Sequence, residues 1–73
     1  MDMWKLTRPI EYHARATMFF AENRQGQKLQ ITAPEEDIDL YFQGHNEVYV
    51  YADYVKNNLQ ILGRAFKEDW GNV

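Results

Sequence analysis

The sequence predicts an α+β fold. It reads as a four-stranded antiparallel meander sheet over about residues 10–22, 27–33, 37–43 and 47–52, with a C-terminal helix over about 53–68 packed on one face. Three observations predict it. Apolar and polar side chains alternate through IEYHARATMFFAE and again through KLQITA. Two polar loops with a glycine, at Gly26 and Gly44, stand where hairpins would turn. Beyond Asp53 the apolar spacing changes from two to the three-and-four of a helix. The same residues leave one other architecture open, an all-β small barrel of five strands.

Residues 1–9 read as an N-terminal arm ending at Pro9 and anchored by Trp4. In the first strand Ile10, Tyr12, Ala14, Ala16, Met18 and Phe20 share one side. Asn23-Arg24-Gln25-Gly26 is a turn in which Gly26 takes the left-handed position of a bulged three-residue loop. That turn sets Asn23 opposite Gln27, Ala21 opposite Leu29 and Phe19 opposite Ile31. One face of the hairpin then carries Phe19, Ala21, Leu29, Ile31 and Ala33; the other carries Tyr12, Ala16, Met18 and Phe20 beside Lys28, Gln30 and Thr32.

DIDLYF alternates too, and EVYVYA pairs with it across a Gly44-His45-Asn46 loop. Ile38, Leu40, Phe42, Val48, Val50 and Ala52 then face inward, and Tyr41, Tyr49 and Tyr51 share the outer face. A helix beginning at Pro34, with acids in its first turn, competes for these residues. From Asp53, a candidate N-cap, Val55, Leu59, Leu62 and Phe66 form one helical stripe. Its competitor is a turn at Lys56-Asn57-Asn58 followed by LQILGRAF as a fifth strand. Residues 69–73 form a tail that frays unless Trp70 docks.

Composition narrows the function. A chain of 73 residues makes a single domain. Domains this small bury only about 60% of their unfolded surface, so a partner is an attractive source of further stability. There is no cysteine, hence no disulfide and no thiolate metal site, which fits a reducing compartment. His13 and His45 are far apart and match no metal-ligand spacing. No metal or other cofactor is expected. No secretory leader is evident, and no stretch approaches the ~20 apolar residues of a membrane span. A cytoplasmic protein without membrane contact is the expectation. Serine is absent, the glycines are isolated, and no acid–base pair stands out, so no catalytic residue is assigned and the chain reads as a non-enzyme.

LYFQG, residues 40–44, resembles the cleavage sequence of tobacco etch virus protease, with Ile38 where that sequence usually has glutamate. The acidic run Glu35, Glu36, Asp37 and Asp39 lacks the spacing of a calcium loop and reads as an acidic contact surface. Residues 34–73 hold eight acidic and three basic groups, against three and five in residues 1–33. A basic protein partner suits the acidic half; phosphate does not.

The functional expectation rests on the aromatics. Tyr41, Tyr49, Tyr51, Tyr12, Met18 and Phe20, on one sheet face, would form a partner-binding patch. The chain then reads as a small acidic non-enzymatic interaction module, an inhibitor or adaptor (one of viral origin included), that binds another protein or itself as a homodimer. The alternative is a single-strand nucleic-acid-binding domain using the same rings for stacking.

Overall fold

The computed structural model describes residues 1–9 and 17–71. Within them the chain forms β1 (Asp2–Thr7), β2 (Met18–Asn23), β3 (Lys28–Thr32), α1 (Glu35–Phe42), β4 (Glu47–Val55), β5 (Asn58–Arg64) and α2 (Lys67–Trp70). The strands make one antiparallel sheet in the order β3-β2-β1-β4-β5, curled into a half-barrel. The fold is thus mostly sheet, with one strand more than expected and two short helices. Residues 10–16 of the expected first strand, Tyr12 among them, lie outside the described residues.

The expected arm is the central strand. MDMWKLT alternates, so Trp4 and Leu6 turn to one face while Met3, Lys5 and Thr7 turn to the other. Trp4 and Leu6 are fully buried. β1 pairs with β2 on one side (Leu6 opposite Ala21) and with β4 on the other (Leu6 opposite Val48). The β2–β3 hairpin has the register its turn implies. Ala21 lies opposite Leu29 and Phe19 opposite Ile31, the Asn23 N–H donates to the Gln27 carbonyl (3.0 Å), and Gly26 sits at φ +89°.

Residues 35–42 are helical, not a strand. Pro34 caps the N-terminus, and its carbonyl accepts from the Asp37 and Ile38 amides (3.0 and 3.1 Å). Glu35, Glu36 and Asp37 in the first turn complement the helix dipole. At the other end Gln43 and Gly44 take positive φ (49° and 84°), which ends the helix. Ile38 and Phe42 satisfy a two-residue period and an i, i+4 helical period equally. Leu40 separates the two: a strand would bury it, yet it is 67% exposed. The LYFQG stretch therefore occupies the end of α1 and its cap. The predicted meander fails for the same reason, since α1 carries the chain across the sheet from edge strand β3 to β4.

The predicted helix over 53–68 is the end of β4, a turn and β5. Lys56 and Asn57 both have positive φ (53° and 66°), the two-residue turn whose twist matches paired strands. Val55 lies opposite Asn58 and Tyr54 opposite Leu59. The expected helical stripe splits, with Leu59 packing on the core and Val55, Leu62 and Phe66 exposed. A bulge between Tyr51 and Ala52, where Gly63 and Ile61 are their partners, leaves Leu62 unpaired and bends the sheet.

The core lies on the concave side. Trp4, Leu6, Phe19, Ala21, Val48, Val50 and Ala52 of the sheet meet Ile38 and Phe42 of α1. Phe19 packs edge-on against Phe42 and Tyr41 (5.8 and 5.9 Å between centroids). Arg8 ties the helix to the end of β1 through an ion pair with Asp39 (2.9 Å), a largely exposed contact worth at most about 1 kcal/mol. No helix among the described residues is long and apolar enough to cross a membrane.

Candidate binding groove

In a flat sheet of this order, β3 and β5 would be the most distant strands. Curling brings them to face each other across a cavity of about 700 Å3 on the concave side. Phe19, Ile31, Tyr41, Leu59 and Tyr54 supply its apolar and aromatic surface, and Asp37, Asn57, Asn58 and Gln60 its polar surface. The sequence places each of them. Phe19 and Ile31 share a parity fixed by the Gly26 turn. Tyr41 lies one helical turn from Ile38 and Asp37. Tyr54 and Leu59 flank the Lys56-Asn57 turn, and the Tyr54 hydroxyl reaches Asn57 Oδ1 at 3.4 Å. Tyr54 also rests against Trp4 (6.3 Å between centroids).

The groove is bounded by main chain as well as side chains. The Gln27 carbonyl accepts from Asn23, and the Ala33 amide donates to the Thr17 carbonyl (3.0 Å). Odd-numbered residues of this segment therefore bond to β2, and Gln30 and Thr32 direct their N–H and C=O groups outward, to the open edge. Among the described residues no strand lies beyond β3 or β5.

The aromatic stripe expected from the sequence is not assembled as one surface. Tyr41 is on α1, on the concave side, against Phe19. Tyr49 and Tyr51 do share the convex face, but Tyr49 is only 8% exposed. It belongs to a second small cluster with Met3 and Ala65, onto which Tyr51 and Trp70 pack. Of the expected tail, residues 72–73 lie outside the described residues; Trp70 docks through α2, 5.5 Å from the Tyr49 ring and with Lys5 Nζ 5.9 Å from its own ring centre. Phe20 is 42% exposed and Met18 half-buried. Both are on β2, separated from β4 by Thr7 and by the Lys5–Glu22 ion pair (3.6 Å). Of the acidic residues, Asp37 lines the groove, Glu35 and Glu36 stand in the same helical turn, and Asp39 is engaged by Arg8.

Sequence reasoning missed Tyr54, Asn57, Asn58, Leu59 and Gln60, because a helix claimed them. The signal was Asn57-Asn58 followed by the alternation of Leu59 and Ile61. Among the described residues no three His, Asp or Glu side chains come together to hold a metal.

Among the described residues, Tyr49 has the one displaced titration. Burial, then the hydrogen bond its hydroxyl donates to Glu47 Oε1 (2.9 Å) and the charge of that carboxylate, push its pKa from 10.0 up to about 12. The folded state therefore holds this proton more tightly than the unfolded chain. The resulting stability is intact below pH 10 and is lost as pH rises through about 12, a fall approaching 2–3 kcal/mol. In urea unfolding at pH 8 and pH 11, Tyr49→Phe should show a smaller alkaline loss than the parent. Equal losses would mean the phenol is not so shielded.

No protein-family model matches the chain, and no curated protein or solved structure is significantly similar to it.

Proposed function

We propose that the chain is a small non-enzymatic interaction module, of the inhibitor or adaptor kind, which holds a segment of another protein in the concave groove. The observation that carries this reading is the trough of about 700 Å3 between two open sheet edges. Its surface mixes aromatic rings with amides, the chemistry that receives peptide side chains and peptide bonds together. This moves the contact surface from the expected convex stripe to the other side of the sheet, where Tyr41 is the one stripe residue retained. Two features weigh against the nucleic-acid alternative. Among the described residues the groove lining includes Asp37 and no lysine or arginine, and the exposed ring of Phe20 stands apart from the covered Tyr49.

A linear peptide display library tests the reading. Selected binders should lose affinity on Leu59→Lys and on the surface change Asn58→Arg, and keep it on Phe20→Ser, with circular dichroism confirming each fold. Binders indifferent to both groove changes, or lost on Phe20→Ser, would overturn it. Salt-dependent binding of a short single-stranded oligonucleotide would favour the alternative.

A further inference from the structure

The groove reading leaves open how a segment would sit there, and the main chain answers that. We infer, resting on that reading, that the occupant is an extended strand of another protein, added to the β3 edge with a lysine or arginine beside Asp37.

Gln30 and Thr32 pair with Phe20 and Met18, so their side chains stand on the convex face. What they bring to the groove is chiefly outward-facing main chain, which a neighbouring strand satisfies directly. The groove follows β3 without a break from Gln30 to Pro34, a length that matches about five residues of extended chain at ~3.3 Å each. The β5 edge is less suitable because the bulge at Leu62 interrupts its regular spacing. A strand laid along β3 presents alternate side chains to Phe19, Ile31 and Leu59, so that parity of the partner segment is apolar.

The groove's end at Pro34 meets the first turn of α1, where Asp37 lines the cavity and Glu35 and Glu36 are adjacent. None of the described lining residues is basic. A cation on the partner gains from all three carboxylates, whereas an acidic segment would be repelled. The same charge disfavours a second copy of this chain, which carries the same net −3 and the same acids.

The probes are three acetylated seven-residue peptides. One alternates valine and threonine with a lysine at each end on the valine side, so that a cation reaches Asp37 in either strand direction; the second has glutamate in place of each lysine, and the third is the lysine peptide with every backbone amide N-methylated. In 15N-resolved titrations the lysine peptide should shift the amides of residues 28–33 and 57–60, and the other two should not. Asp37→Asn should weaken binding about fivefold or more. Gln30→Pro and, separately, Thr32→Pro should abolish it without unfolding, because proline at an outward-facing edge position removes no ladder hydrogen bond. Equal binding of the glutamate or N-methylated peptide, insensitivity to both prolines, or no shift with any peptide overturns the inference. Library binders that require Leu59 yet ignore both prolines would preserve the groove and eliminate the added strand. A dimer by light scattering that dissociates on either proline change would make a second copy the occupant instead.

Discussion

Deleting residues 1–7 should abolish cooperative folding. The deletion removes the strand that joins the two halves of the sheet, leaving β2–β3 and β4–β5 as separate hairpins, and isolated hairpins are marginal in water. It also removes Trp4 and Leu6, two of the largest fully buried side chains. Each contributes roughly 1.5–3 kcal/mol by burial, against the ~5–15 kcal/mol net stability of a whole domain. A true arm would have been dispensable. The measurement is urea unfolding followed by circular dichroism, and a shortened chain with an undiminished sigmoidal transition would contradict the central position of β1.

The second large effect separates helix from strand at residues 35–42. Phe42→Ala should cost about 3–5 kcal/mol, since the ring is fully buried against Phe19 and Ile38 shares its cluster. Leu40→Ser should stay within about 0.5 kcal/mol, because Leu40 points to solvent from the far side of α1. As a strand, the segment would put both side chains on the same inward face and make both changes severe. Thermal unfolding of the two variants decides it, and comparable losses would restore the strand.

The contrast between these residues shows which signals the sequence makes legible. Gly26 could be read because its positive φ is a local requirement, and the turn it makes fixed every pair from Asn23–Gln27 to Phe19–Ile31. The inward parity of Val48, Val50 and Ala52 was legible from their alternation alone, although the hairpin expected at Gly44 does not form. Residues 38–42 were not, because three apolar positions two apart fit either period and only tertiary packing exposes Leu40. At 53–64 a helical stripe of Val55, Leu59 and Leu62 outweighed a turn whose decisive feature, left-handed backbone at both Lys56 and Asn57, is weakly encoded by lysine. The groove was least legible of all. It depends on β3 and β5 meeting through curvature, and the sequence mentions that curvature only through one bulge and Gly63. The outward parity of Tyr49 was correct, but parity could not show that Trp70 would return to cover it.

The position of β1 also sets a timetable for biosynthesis. Asp2 ends up beside Ala52, so β1, made before the other strands of this sheet, cannot acquire its second neighbour until β4 has followed. Until then, one flank of the future sheet centre is open to wrong partners. Contacts so distant along the chain make assembly slow for a domain of this size, and its vulnerable interval falls during translation, before the native state has formed.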